Sequence, residues 1–113
     1  MIDTQKDLEF VCDQAMSVSA VAIDTEFVWN RTYYPKLGVV QLGINERECY
    51  LIDADATMDL SPLGKLISDP EIEKILHDAQ QDLAIIRRAT GAFPRNIFDT
   101  RRAAGIAGIG STC

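Results

Sequence analysis

A short run of branched and small apolar residues ends in two acidic side chains, and this junction constrains the fold more than any other part of the sequence. The run spans residues 19–27 (SAVAIDTEF), a composition typical of a buried β-strand. Residues i and i+2 of a strand share a face. The sequence therefore predicts that Asp24 and Glu26 point the same way, while Ile23 and Phe27 point into the opposite layer.

These two carboxylates need an explanation, because neighbouring acids at the end of a buried strand repel each other and lose hydration. A shared proton, a cationic side chain or a metal ion would compensate. Hard divalent cations such as Mg²⁺ and Mn²⁺ prefer carboxylate oxygens and relieve the repulsion directly. The alternative is a pair of acids that simply face water at a strand end, and the Asp-x-Glu spacing alone supports both interpretations equally.

The rest of the pattern predicts an α/β fold, a mixed five-stranded sheet flanked by helices. A capping pattern at Thr4 and Asp7 opens the first helix, and another at Asp78 and Gln81 opens a later one. The predicted strands are 19–27, 37–44, 48–53, 72–77 and 96–98, and the predicted helices are 4–16, 79–90, 99–108 and a short one that starts at Ser61.

Composition limits the remaining classes. The chain has 113 residues, enough for one modest core and one domain. It contains no apolar run near the roughly 20 residues that a membrane span needs. The first residues lack the basic-then-apolar pattern of an export signal. The three cysteines are far apart and form no Cys-x-x-Cys pair, a pattern that indicates a cytoplasmic protein and argues against a zinc site.

The charge distribution is uneven. The net charge of −6 argues against a protein that simply wraps nucleic acid. Residues 83–113, however, hold five arginines and a single acid, Asp99. This pattern is consistent with ordinary solvated surface, and equally with a phosphate-binding face beside an acidic metal-binding cluster.

A third acid, Asp82, lies among the apolar positions of the predicted helix 79–90. An acid on an apolar face near a helix N-terminus needs a partner. The helix dipole and nearby backbone donors are one source of stabilisation. If the helix packs across the first strand, Asp24, Glu26 and Asp82 form one cluster, and three carboxylates suit the two-metal hydrolysis of phosphodiesters.

Two segments resemble a known family. The stretch VAIDTEFVWNRTYYPKLGVVQL, followed about fifty residues later by ILHDAQQDLAII, is similar to the first two exonuclease motifs of bacterial ribonuclease D, one of the DEDD 3′–5′ exonucleases. The resemblance implies a ribonuclease H-like fold and two Mg²⁺ or Mn²⁺ ions. It makes Asp24 and Glu26 the acids of the first motif and Asp82 the acid of the second, with catalytic and metal-binding roles.

The same resemblance implies a substrate and a reaction. It predicts an exoribonuclease that releases nucleoside 5′-monophosphates from single-stranded RNA 3′ ends, including those of transfer RNA precursors. The third family motif, Tyr-x-x-x-Asp, is absent from residues 83–113, where Asp99 follows a predicted strand. We therefore expect residues 1–113 to be a partial exonuclease domain, truncated at its C-terminal side and inactive or nearly so alone.

Two other functions stay open at this point. One is a non-catalytic RNA-binding or assembly module of the same fold, and the other is a 3′–5′ exonuclease that acts on DNA. Each of the loop aromatic residues and the single histidine also has two interpretations. Trp29, Tyr33 and Tyr34 stack on bases or fix their loop, whereas His77 is predicted to be a hydrogen-bonded structural residue rather than a general base.

Overall fold

The computed structural model describes residues 1–29, 35–56 and 58–101, and these form one mixed sheet with three helices. In chain order the elements are α1 (Gln5–Ala15), β1 (Ala20–Trp29), β2 (Pro35–Gly43), β3 (Cys49–Asp53), α2 (Ser61–Ser68), β4 (Glu73–Leu76), α3 (Ala79–Thr90) and β5 (Ile97–Asp99). The prediction of an α/β fold with a mixed five-stranded sheet is confirmed.

Strand β1 is the centre of a sheet with the order β3-β2-β1-β4-β5. It pairs antiparallel with β2 and parallel with β4, while β3 pairs antiparallel with β2 and β5 pairs parallel with β4. The connection types explain this arrangement. A short turn, in which Asn45 Oδ1 accepts the backbone N–H groups of Arg47 and Glu48, joins β2 to β3, whereas α3 supplies the longer crossover that parallel strands need.

One face of the sheet carries the hydrophobic core. Alternate strand residues such as Val21, Ile23, Val40 and Leu42 are buried, and they form a single cluster with the buried faces of the helices. The helix residues in this cluster are Leu8, Val11, Cys12, Ala15, Leu63, Leu66, Ile67, Ala79, Ile85 and Ile86. The spacing of three and four residues among them is what predicts amphipathic helices.

The opposite face is more open. Asp24 and Glu26 lie on this face and are exposed, and so are Val28 at 45% and Leu51 at 41%. The pairing of Glu26 with Val39, but of Phe27 with Leu37, leaves Gly38 as an extra residue in β2. This β-bulge lies directly beside the second acid.

Some of the capping patterns and helix bounds predicted from the sequence agree with the structure, and others do not. Thr4 Oγ1 accepts the Asp7 N–H at 3.3 Å, as its capping pattern predicts, and α3 has its predicted bounds. The capping pattern at Asp78 is wrong, because Asp78 is left-handed (φ 55°) and its side chain caps nothing. Of the predicted helix 99–108, only the start is described. No helix within the described ranges has the length and apolar character to cross a bilayer.

Candidate active site

The two strand acids share a small cavity on the open face of the sheet. Asp24 and Glu26 line it together with Val39, Gln41 and Leu51, and its volume is about 20 Å³. The register explains this set, since Asp24 is opposite Gln41 and Glu26 is opposite Val39. The prediction that the two acids share a face is therefore confirmed.

The backbone around these acids is locally specialised. Asp24 Oδ1 accepts the Thr25 N–H at 2.9 Å, which holds that carboxylate against its own strand. The bulge follows immediately, between Glu26 and Phe27. Bulges commonly re-aim side chains near functional sites, and this one lies where the direction of Glu26 is set.

Gly38 makes the bulge possible. A Cβ atom at this position would lie 2.5 Å from Val28 Cγ2 and 3.2 Å from the carbonyl oxygen of Glu26. Both distances are shorter than ordinary contacts, so only glycine allows the two strands to approach this closely. No local sequence pattern predicts this requirement.

The third acid, Asp82, lies in the first turn of α3 and is half-buried. Desolvation raises the pKa of Asp82 above its ordinary value, and the carboxylates of Asp24, Asp78 and Asp99 raise it further. The hydroxyl of Thr25 acts in the other direction and lowers this pKa. Asp82 is therefore close enough to β1 to respond to both Asp24 and Thr25.

Thr25 itself has an unusual environment. It alternates with Asp24 and Glu26 and so lies on the core side of β1, opposite Val40. Its Oγ1 atom is buried and makes no well-formed hydrogen bond with the described residues. A buried hydroxyl without a partner is costly, and this one lies next to a half-buried carboxylate.

The three predicted acids are not assembled into one ligand cluster. Within residues 1–29, 35–56 and 58–101, no three Asp, Glu, His or Cys side chains lie close enough to hold a metal ion. Asp24 and Glu26 share a cavity, and Asp82 adjoins Asp24 electrostatically. Their meeting around shared ions stays a prediction.

The donor chemistry nevertheless fits a hard cation. Each of the three groups offers carboxylate oxygens, the ligands that Mg²⁺ and Mn²⁺ prefer. The accumulated negative charge that raises the pKa of Asp82 is what a divalent cation would relieve.

Sequence reasoning missed the part played by Asp99. Its carboxylate accepts the N–H groups of Asp78 at 2.9 Å and Ala79 at 3.0 Å, so it caps α3 from the neighbouring strand. No local signal could have found this contact, because it spans about twenty residues of sequence. The pairing of Leu76 with Asp99 brings the two segments together.

His77 is hydrogen-bonded, as predicted, while the choice between a structural role and a general base stays a prediction. Its Nδ1 atom lies 2.9 Å from Thr100 Oγ1, in hydrogen-bond contact. Tyr33, Tyr34 and the side chain of Trp29 lie outside the described residues, so the two interpretations of these aromatic residues stay predictions.

Comparisons with known proteins identify relatives over almost the whole chain. A family profile described as 3′–5′ exonuclease matches residues 1–112. The ribonuclease D of Desulfotalea psychrophila is 55% identical over 112 residues, which are 99% of this chain and 30% of that protein. The chain thus spans less than a third of this relative.

Solved structures agree with the sequence comparison. The crystal structure of Escherichia coli RNase D, an exoribonuclease involved in structured RNA processing, matches with a TM-score of 0.84 and 38% identity, over 97% of this chain and 29% of that one. Brucella melitensis NrnC with bound Mg²⁺ matches with a TM-score of 0.65 and 32% identity, over 79% of this chain and 45% of that one.

Proposed function

Because the chain belongs to the 3′–5′ exonuclease family, we propose that it supplies the first metal-binding acids of a cytoplasmic exoribonuclease of the ribonuclease D type. The enzyme would release nucleoside 5′-monophosphates from RNA 3′ ends, with transfer RNA precursors among its substrates. The observation that carries this proposal is the position of Asp82, which is half-buried and adjoins Asp24 in the middle of the central strand.

Asp24, Glu26 and Asp82 are the residues that would hold two divalent ions, Mg²⁺ or Mn²⁺. Bound ions of this kind supply an activated water and stabilise the leaving oxygen. The family likeness supports this assignment, and so does the Mg²⁺ in the related NrnC structure. Release of mononucleotides from the 3′ end also fits the open face of the sheet, where an RNA terminus has access to Asp24 and Glu26.

The residues of the chain itself would prepare this site in three ways. The open cavity presents Asp24 and Glu26 together, with Gln41 beside them as a polar neighbour. The bulge at Gly38 sets the direction of Glu26. The burial of Asp82 weakens its hydration, which strengthens its interaction with any cation nearby.

We also propose that residues 1–113 are a partial exonuclease domain. The family pattern needs a Tyr-x-x-x-Asp motif after the second acid, and residues 83–113 contain no tyrosine. The carboxylate of Asp99 is engaged by backbone N–H groups of the α3 start, so it is not a substitute fourth ligand. The isolated chain is therefore expected to have little or no activity.

A chimera tests the proposal directly. Residues 1–112 replace the matching segment of the Desulfotalea psychrophila ribonuclease D, and the product is incubated with single-stranded RNA and Mg²⁺. We expect metal-dependent release of 5′-mononucleotides, lost by about 100-fold or more in Asp24→Asn, because a metal ion contributes several kcal/mol to such reactions. A folded but inactive chimera beside an active parent enzyme would contradict the proposal.

The non-catalytic alternative has one observation in its favour, namely that the described residues contain no three-acid metal cluster. A chimera that binds RNA without degrading it would support that alternative. Matched RNA and DNA oligonucleotides in the same assay address the third possibility, because discrimination between them depends on contacts to the 2′-hydroxyl group.

A further inference from the structure

The start of α3 is held by a residue from another strand. Asp99 Oδ1 accepts the Asp78 N–H at 2.9 Å, and Oδ2 accepts the Ala79 N–H at 3.0 Å. The first N–H groups of a helix have no partner within the helix. Asp99 thus does from β5 what an N-cap side chain usually does from the helix itself.

A local cap is not available at this position. Asp78 occupies the N-cap position but is left-handed, with φ 55° and ψ 58°, and its side chain makes no cap hydrogen bond. Its carboxylate instead pairs with Arg101, whose Nη1 lies 3.0 Å from Asp78 Oδ1. The turn between β4 and α3 is therefore strained and depends on its neighbours for its shape.

Further contacts join the same two turns. Asp99 Oδ1 also accepts the Arg101 N–H at 2.9 Å, and His77 contacts Thr100 through its ring nitrogen at 2.9 Å. The residues before α3 and the residues after β5 are thus bound together as one unit, which we call the paired turns (residues 77–79 and 99–101).

We propose that Asp99 is a positioning residue for Asp82, an inference that rests on the proposed function above. Asp82 lies three residues after Ala79, in the turn whose N–H groups Asp99 holds. Fixing the start of the helix fixes the direction in which the side chains of its first turn project. Asp99 thereby aims Asp82 toward Asp24 without being a ligand itself.

The chain offers a matched control for this role. Asp59 Oδ1 accepts the N–H of Ser61 at 3.0 Å and also its hydroxyl, at the start of α2. It is an acid that holds a helix start, as Asp99 is, but α2 carries none of the proposed ligands. Asp59→Asn and Asp99→Asn therefore make the same chemical change at two helix starts.

Calorimetric titration with Mn²⁺ of the chimera described under the proposed function separates a positioning role from a merely structural one. We expect Asp99→Asn to weaken Mn²⁺ binding by about 10- to 100-fold, as loss of a group that orients a ligand typically does, while Asp59→Asn keeps the wild-type affinity. Asp99→Glu, which keeps the charge but moves the oxygens, is expected to weaken binding as well.

The outcomes distinguish failure of the positioning role of Asp99 from failure of the proposed function. If Asp24→Asn weakens Mn²⁺ binding but both Asp99 variants bind as the wild type does, the positioning role is overturned and the proposed function stands. If the unsubstituted chimera does not bind Mn²⁺, or binds it no better than its Asp24→Asn variant does, the proposed function fails and the inference fails with it. Should the Asp99 variants not fold, hydrogen exchange in the wild type decides, since rapid exchange of the Asp78 and Ala79 amides would overturn the inference.

Discussion

The carboxyl group of Asp82 lies beside the hydroxyl of Thr25, the residue between the two strand acids. Asp24 and Glu26 are on the open face of β1, whereas Thr25 is on the core side. Helix α3 thus brings its acid to the middle of β1, next to a residue on the covered side of the strand.

The first prediction concerns Thr25. Thr25→Val removes the buried hydroxyl that lies beside the carboxyl group of Asp82. The pKa of Asp82 should rise further, because the Thr25 hydroxyl lowers it. A carboxyl titration followed by NMR measures this change, with Thr25→Ser as the control that keeps the hydroxyl. A lower Asp82 pKa in the valine variant would contradict the assignment of this contact.

The second prediction concerns Asp82 in chelator-treated protein. Because the folded state raises the pKa of Asp82, the native protein binds more protons than the unfolded chain between the ordinary and the raised value. Stability therefore falls as pH rises through that window. Asp82→Asn lacks this penalty, so its free energy of unfolding should rise relative to that of the wild type over the same pH range.

Denaturant unfolding at several pH values measures this difference. The variant's advantage in the free energy of unfolding should be absent at low pH, should grow through the window and should be constant above it. An advantage that does not depend on pH would show that the burial of Asp82 has no electrostatic cost. Such a penalty at a proposed ligand is the usual conflict between stability and function.

The third prediction concerns the bulge. Gly38→Ala places a Cβ atom 2.5 Å from Val28 Cγ2, and we expect it to cost about 1–3 kcal/mol, the typical penalty of overpacking. Gly43→Ala is the matched control on the same strand, since its Cβ would lie 3.6 Å from Ala22 Cβ, an ordinary contact. Equal effects of the two substitutions on unfolding by urea would show that the bulge does not need glycine.

The fourth prediction concerns Lys74, whose side chain is fully buried in the core. Its ammonium group donates to the carbonyl oxygen of Asp69, and desolvation lowers its pKa below the ordinary 10.5. The unfolded chain therefore binds more protons in the window between the lowered value and 10.5, where stability rises with pH. Relative to Lys74→Met, the wild type should gain stability across that window, and a flat difference in thermal unfolding would contradict this.

Sequence alone predicts the helices and strands well where the hydrophobic periodicity agrees with the residues that typically begin or end such elements. Helix α3 was predicted with its observed bounds, because its apolar spacing is helical and Gly91, with φ 73°, ends it. The shared face of Asp24 and Glu26 follows from strand alternation alone. These features depend on neighbours in sequence.

Features that depend on distant neighbours were not predictable. The cap of α3 comes from Asp99, which is not adjacent in sequence, so the local capping pattern at Asp78 was misleading. The bulge at Gly38 depends on how close β1 approaches β2. The relation of Asp82 to Asp24 depends on how a helix packs against a strand, so the helix and strand faces predict it only on the condition that α3 packs across β1, and the family likeness supports the same placement.

The central claim is that Asp24, Glu26 and Asp82 bind shared divalent ions. Substoichiometric Mn²⁺, which is paramagnetic and broadens the NMR signals of nearby amides, tests it residue by residue. We expect the amide signals around Asp24 and Glu26 and those around Asp82 to broaden together, and we expect both Asp24→Asn and Asp82→Asn to abolish the broadening. Broadening that is the same in Asp82→Asn as in the wild type would show that Asp82 does not share the ions, and it would contradict the claim.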